Sequence, residues 1–256
     1  MLDLIFLKNL LFQKSSFLLL LYFFFFSLQF FLRHHGNSIL DVRRAFRNGL
    51  LALFSVFPIT MVLSSMQSKF LGSNTGHELP FWGQIIFAIL FFDLVSFFWH
   101  WLNHRIPFFW RFHLWHHLEA HLETTAALRF HSGELIFSAI LRLGILAILP
   151  LSLSIEAVLW SELIYQTSNF FQHSNLNIGS KAERWISKIF ITPALHRVHH
   201  SPSREDRDQN FGTIFSFWDR IFRTYRWNLS VIESGEPEQA ERGSHFYLWW
   251  SAWLLK

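Results

Sequence analysis

The run from Ser16 to Leu32, SFLLLLYFFFFSLQFFL, sets the strongest constraint on the fold, because seventeen residues pass without a charge. Its length approaches the roughly 20 residues that an α-helix needs to cross a hydrocarbon layer. A secretory leader would be followed by a small-residue cleavage site; here FLRHHGNS follows, so a retained membrane helix is expected. Apolar runs recur at Gly49–Met66, at Phe81–Trp101, and as a pair at Leu135–Leu153 and Ile155–Phe171. The short join around Ser152–Glu156 predicts a helical hairpin that dips into the bilayer and returns. The expected fold class is therefore an all-α integral membrane protein with about four to five membrane helices. Composition agrees: 16% of residues are charged, against about 25% in soluble domains.

Lys and Arg beside the runs give an orientation. Arg33, Arg43, Arg44 and Arg47 lie between the first two runs, which predicts a cytoplasmic loop. The Gln67–Pro80 loop holds only Lys69 and is expected on the other side, and the third run returns to the cytoplasm at Arg105 and Arg111. Lys8 and Lys14, ahead of the first run, oppose its assigned direction. Two segments read as interfacial: Trp185, Ile186, Ile189 and Phe190 with Lys181, Arg184 and Lys188 toward water, and the C-terminal HFYLWWSAWLLK. Residues 1–80 form an N-terminal membrane region without a recognised signature, 81–225 carry the chemistry, and 226–256 form a tail. Basic clusters free of long apolar runs, which nucleic-acid binding would require, are absent.

The chain holds 15 His and no Cys. Disulfides, iron–sulfur clusters and thiolate zinc sites are thereby excluded, so any metal must be held by nitrogen and oxygen. The histidines are grouped. His100 and His104 end the third run, and His113, His116 and His117 follow in WRFHLWHHLE. His173 closes the last run, and His196, His199 and His200 stand in ALHRVHHSPS. Residues three or four apart share a helix face, so each group can aim several imidazoles at one point. H-x-x-H-H arises by chance only about one time in twenty at this His content, and it occurs twice here. Structural zinc uses four ligands and catalytic zinc three; nine imidazoles exceed both, which predicts a two-metal site in a cytoplasmic helical cap. Imidazole suits zinc, copper, iron and nickel alike. His34, His35, His77 and His245 are read as solvated or interfacial. Arg197 and Val198 are expected to face away from the site, and their exchange is expected to matter far less than that of the histidines.

Glu162, Gln166, Asn169 and His173 form a polar stripe along an otherwise apolar helix, as residues lining a site do. Asp93 lies two turns before His100 on the same face, either as a carboxylate partner of a ligating His or as a helix-packing hydrogen bond. A binuclear hydrolase of lipid headgroups would need more carboxylates than this cluster has. A metal transporter would place its ligands at mid-membrane.

The motifs D-x6-H-x3-H (Asp93–His104), W-R-F-H-x2-H-H (Trp110–His117), T-A-x-L-R-F-H-x2-E (Thr125–Glu134), F-x-H-S-N (Phe171–Asn175), T-P-x-L-H-R-V-H-H-S (Thr192–Ser201) and W-D-R-I-F-x-T-Y (Trp218–Tyr225) occur in this order. Together they resemble the fatty acid hydroxylase superfamily, and its sterol desaturase branch in particular, over Phe81–Tyr225. The resemblance implies a di-iron, O2-dependent membrane enzyme that hydroxylates or desaturates a lipid such as a fatty acyl chain or a sterol-like lipid. It assigns ligand roles to His100, His104, His113, His116, His117, His173, His196, His199 and His200. Some relatives have a further His where this chain has Asn169, which leaves contact of Asn169 with the metal open. His131 and Glu134 also match, His131 as a group beside the ligands or facing substrate. Arg223 stands where many relatives have Gly. Attack on an unactivated C–H bond needs a strong oxidant, which iron with dioxygen supplies and zinc cannot. No dinucleotide, flavin or haem motif is present, so electrons are expected from a separate reductase, ferredoxin or cytochrome-type protein. The bacterial inner membrane or the endoplasmic reticulum is the expected location.

Overall fold

Pro80 and Pro107 bracket the helix on which the fold is built. Pro80 precedes its first turn, and Pro107 holds Ile106 out of the helical region (φ −103°, ψ 114°), so the helix runs from Phe81 to Arg105 and stops. Pro107 then opens the next helix in its first turn, where a missing N–H does no harm. A computed structural model of the chain describes residues 4–32, 42–56, 59, 66, 77–119, 121–149, 151–228 and 230.

In chain order, α1 spans Leu4–Phe31, and α2 spans Val42–Leu51 before a π-helical turn at Ala52–Val56. A two-residue strand β1 (His77–Glu78) precedes α3 (Phe81–Arg105) and α4 (Pro107–His117). A 3₁₀ turn at Thr124–Leu128 leads to α5 (Ser132–Ile148), β2 (Leu151–Ser152) and α6 (Ile155–His173). Short helices α7 (Ser180–Ile186), α8 (Pro193–His199), α9 (Arg204–Arg207) and α10 (Phe217–Ile221) complete it. β1 and β2 pair in parallel, His77 opposite Leu151. The protein is thus mostly helical.

Ala88 and Phe92 of α3 meet Leu146 of α5 and Leu153 and Val158 at the start of α6 in one buried core. The hairpin tip is therefore packed on α3. A second core joins Phe25 of α1 to Ala127, Phe170 and Leu176. Gln29 Oε1 also accepts from Thr124 N (3.1 Å), which ties α1 to the 3₁₀ turn. Among the described residues, α3 is the one helix long and apolar enough to cross a membrane, and α1 contains a shorter apolar stretch, Ser16–Phe31. The other expected spans fall short for physical reasons. α5 is 17 residues long, and α6 carries Glu156, Glu162, Gln166 and Asn169. Most of residues 57–76, with the larger part of the second expected span, and the tail 231–256, with its aromatic segment, lie outside the described residues.

Of the two roles expected for Asp93 the structure shows the packing one, and the expectation for Arg197 and Val198 is corrected. Asp93 partners no metal-site histidine. Its Oδ1 accepts from Ile214 N (2.9 Å) and its Oδ2 from Phe215 N (3.1 Å) and Trp218 Nε1 (3.0 Å). The carboxylate therefore anchors the returning loop 211–218 to α3. Arg197 and Val198 are both buried, and Arg197 NH2 donates to Asn175 Oδ1 at 3.3 Å. They face into protein rather than water, so exchange there disturbs packing. Asp219 repeats the anchoring role from within the loop, accepting from Phe211 N (2.7 Å), Gly212 N (3.0 Å) and Thr224 Oγ1 (2.7 Å). A Cβ at Gly212 would meet Phe215 O at 2.6 Å, so only glycine fits this turn. Arg223 adopts φ 60°, the left-handed region that favours glycine.

The polar stripe on α6 is filled from outside. Glu162 takes Lys14 of α1 on one oxygen and Arg142 of α5 on the other (2.9 Å). Asp93→Ala would leave one buried and two half-buried donors without their acceptor, at about 2–4 kcal/mol in all. The expected outcome is a lower thermal unfolding midpoint with faster hydrogen exchange confined to 208–226; unchanged exchange there would contradict the anchoring role.

Candidate metal centre

The break at Ile106–Pro107 folds α4 back so that its inner face meets the end of α3. The pair His100 and His104, one turn apart on α3, then faces the pair His113 and His117, one turn apart on α4. α8 supplies the rest. Its first turn is capped by Thr192, whose side chain accepts from Leu195 N (3.4 Å), with Pro193 in the first turn. Thr-Pro therefore fixes where the helix carrying His196, His199 and His200 begins.

The nine histidines fall into two groups, each with its ligand atoms within 4.8 Å of one another: His100, His104, His113, His117 and His199, and His116, His173, His196 and His200. All but His100 are buried. Each H-x-x-H-H motif is split between the groups. WRFHLWHHLE sends His113 and His117 to the first and His116 to the second; ALHRVHHSPS sends His196 and His200 to the second and His199 to the first. The groups abut where the His117 and His200 rings stack, 4.4 Å apart and 22° from parallel.

Oxygen acceptors set the tautomers. In the first group, Nδ1 donates from His100 to Phe211 O (2.9 Å), from His104 to Asp208 Oδ1 (3.3 Å), from His113 to Glu134 Oε1 (2.8 Å), and from His199 to Gln209 O (2.8 Å). In the second, Nδ1 donates from His116 to Arg129 O (3.1 Å) and from His173 to Asn169 O (2.8 Å). A neutral imidazole with its proton on Nδ1 carries a lone pair on Nε2. Those lone pairs oppose each other: Nε2 of His100 and His113 are 3.0 Å apart, as are Nε2 of His116 and His173. His104 Nε2 and His199 Nε2 are buried and have no hydrogen-bond partner among the described residues. A cation seated between the nitrogens resolves both features, so the donor set fits a metal ion in each group. Ligating His typically orients itself this way, with the second ring nitrogen bonded to a carbonyl or carboxylate.

Burial, reinforced by neighbouring imidazoles, holds His116, His117, His196 and His200 well below the ordinary histidine range, and pushes His199 down to about 3. The groups stay neutral, as metal ligands must.

The remaining predicted residues take supporting places. Glu134, in the first turn of α5, receives His113 and also Asn103 Nδ2 (3.3 Å). His131 belongs to neither group; its Nδ1 accepts from Gly133 N (2.9 Å) and caps α5. A Cβ at Gly133 would meet the Phe112 ring at 2.6 Å, so this glycine lets α5 close on α4 and brings Glu134 to His113. Asn169 serves through its backbone carbonyl, while its side chain lies against Ala127 O (3.4 Å) and Gln172 Nε2 (3.4 Å).

Sequence reading missed Asp208 and the carbonyls of Arg129, Gln209 and Phe211. A carbonyl has no residue signature; Asp208 could have been suspected from the turn-rich DQNFG after the last His motif. Arg129 is fully buried, donating to Trp115 O (2.9 Å) and Glu119 Oε2 (3.2 Å), which locks its carbonyl against His116. Glu119 in turn receives Asn48 of α2 (3.2 Å).

These features define a helical protein with two abutting, largely buried, all-imidazole groups, each of which could hold a metal ion. The chain belongs to the fatty acid hydroxylase family, whose model matches residues 85–224. It is 26% identical to an ornithine lipid hydroxylase of Rhizobium tropici over 148 residues, 58% of this chain and 43% of that protein. It is 31% identical to an alkylglycerol monooxygenase of Caenorhabditis elegans over 146 residues, 55% of this chain and 26% of the relative. Against human cholesterol 25-hydroxylase the identity is 27% over 180 residues, 67% of this chain and 61% of the relative. The chain therefore spans less than two thirds of each of these relatives. No solved structure matches significantly.

Glu134→Gln keeps the shape of the His113 contact and removes its charge. It is expected to weaken metal binding to the first group by about 10–100-fold, read by competitive chelator titration; unchanged affinity would refute the orienting role. A second outcome concerns pH. The unfolded histidines protonate near 6.5, whereas the folded ones do not, so the unfolded state binds more protons as pH falls. Their contribution is fully present above pH 6.5 and drains away toward the folded values. The metal-free protein should lose unfolding midpoint steadily between pH 7.5 and 5; a flat profile would show that the imidazoles are exposed.

Proposed function

We propose that the protein is a membrane-embedded, two-iron, O2-dependent oxidoreductase that hydroxylates a lipid. One observation carries the reading: two abutting, buried imidazole groups with opposed Nε2 lone pairs, in a member of the fatty acid hydroxylase family. The relatives' names speak of hydroxylases and monooxygenases of lipids, which favours hydroxylation over desaturation. The overall reaction is R–H + O2 + 2 e⁻ + 2 H⁺ → R–OH + H2O. Iron, when bound, supplies the oxidising power that an unactivated C–H bond demands.

The chain's own residues do the remainder. Nine imidazoles would hold two ions, and six of the rings, those of His100, His104, His113, His116, His173 and His199, are fixed by an oxygen acceptor, so little reorganisation is needed at reaction. Burial keeps bulk water from the centre, which suppresses unproductive release of reduced oxygen. Exposed apolar side chains along the helices, among them Leu20 and Phe23 of α1, Trp82 and Ile86 of α3 and Ile140 of α5, suit contact with acyl chains. The lipid enters from that side, and the histidine-bearing helix ends face the cytoplasm, beside the predicted basic loop. Asn169 stands outside the coordination sphere, because its side chain is already engaged with Ala127 and Gln172.

Metal analysis of protein from iron-replete aerobic growth is expected to give about two irons per chain. Lipid mass spectrometry of a deletion strain should show loss of species one oxygen heavier than their precursors, restored by the wild-type gene and not by His199→Ala. Zinc in place of iron, or full restoration by His199→Ala, would sink the proposal.

A further inference from the structure

The inner side of α7 and of the turn after it is spent on the fold. Glu183 and Ser187 are buried there. Glu183 lies within electrostatic reach of Arg197, and Ser187 O accepts from Ser216 Oγ (2.7 Å) and Arg220 NH2 (3.1 Å). The outer side has two stripes. Trp185, Ile186, Ile189 and Phe190 are large apolar side chains left exposed, Trp185 at 63%. Beside them Lys181, Arg184 and Lys188 are exposed too, three and four residues apart and so on one face.

The charge on this side is a surplus. Lys181, Arg184, Lys188 and Arg220 form no ion pair among the described residues. The carboxylates nearest to them are turned inward: Glu183 toward Arg197, Asp93 and Asp219 to the amides of the 211–218 loop. Lys188 Nζ rests 3.4 Å from the centre of the Trp185 ring. A cation laid along an apolar side chain in this way keeps its charge at a boundary between water and hydrocarbon.

The fold also decides which way this side looks. Phe190 forms a bridge with Phe215, and Ser216 N donates to Ile189 O (2.8 Å). The same loop is held by Asp93 through Ile214 N and Phe215 N. Asp93 precedes His100 on α3 by about 10 Å of helix. The end of α7 is therefore pinned to α3 on the bilayer side of the histidine centre. An apolar stripe edged by cations at that level suits the headgroup boundary of a membrane. A two-fold contact with a second copy would set the same cations against each other.

We propose that α7 and the turn after it lie in the headgroup layer of the membrane, with Trp185 and Ile189 among the acyl chains and Lys181, Arg184 and Lys188 on anionic phospholipid headgroups. The inference rests on the reading of α3 as a membrane helix. Because the 211–218 loop joins α7 to α3 and also gives Phe211 O to His100, this contact fixes the height of the histidine centre over the lipid.

The chain has no Cys, so Ile189→Cys takes a single nitroxide label. The full-length protein is placed in nanodiscs of mixed phosphatidylcholine and phosphatidylglycerol. Power saturation should find the Ile189 label more accessible to O2 than to a water-soluble nickel chelate, as for an Ile86→Cys label on α3. A Glu205→Cys label on α9 should show the reverse. Spin-labelled phosphatidylglycerol should be enriched over phosphatidylcholine beside the wild-type protein. Lys181→Gln/Arg184→Gln/Lys188→Gln should cut that enrichment roughly twofold or more, and high salt should do the same. Arg204→Gln, on α9, should leave it unchanged.

An Ile189 label open to the nickel chelate overturns the proposal. One closed to both reagents does so as well. If Glu233→Gln/Glu236→Gln/Glu238→Gln/Glu241→Gln then opens it, the occupant is the chain's own acidic tail; if not, the occupant is another protein molecule. Unchanged enrichment in the triple variant overturns the headgroup contact. An Ile86 label open to the chelate overturns the reading of α3 as a membrane helix, whereas failure at Ile189 alone leaves that reading and the oxygenase proposal standing.

Discussion

Two nitrogen lone pairs held 3.0 Å apart, once in each histidine group, are the constraint on which the rest of this structure depends. Left alone, such pairs repel, and burial forbids the cheap remedy of protonating one ring. The arrangement persists because every determining ring is gripped from behind by an acceptor it cannot exchange for water. A metal ion turns the repulsion into attraction. The folding energy of the helical scaffold therefore holds open a site whose compensation arrives only with the ion, as expected when metal binding and folding are coupled.

The grip from behind explains features that otherwise look unrelated. The loop at 208–226 supplies acceptors to His100, His104 and His199, so it must be rigid although it has little regular structure. Rigidity comes from two buried carboxylates, Asp93 below it and Asp219 within it, that bind its amide groups. Arg129 plays the same part for His116 with a buried guanidinium, and that guanidinium is balanced by Glu119, which reaches back to α2. The N-terminal helices, featureless as sequence, thereby bear on the centre through α2 and the 3₁₀ turn.

Much of this was legible in the sequence, and the limits are physical. The apolar run of α3, its polar end and the two H-x-x-H-H motifs sufficed to foresee a helical protein that gathers nine imidazoles. Side chains at helical spacing announce themselves because helix geometry is fixed. Asp93 stayed open between two roles, since a carboxylate on the histidine face of α3 says nothing about which later loop comes back to meet it. Arg197 misled for a similar reason: facing away from the site is not facing water, and only the packing of α7 and the 174–178 segment decides between them. The carbonyl acceptors were beyond reach, because a backbone oxygen has no residue identity. The hairpin was foreseen as two apolar spans, but the ion pair of Glu162 with Lys14 depends on a helix more than a hundred residues away in sequence.

The splitting of each H-x-x-H-H motif between the two groups ties the halves of the centre together as a splice ties two ropes. α3 serves the first half and α6 the second, but α4 and α8 each lend rings to both. Fraying of α8 by one turn would open both halves at once, and a shift that improved one would strain the other. Such a centre has no natural half-built form. It is assembled or lost as a unit.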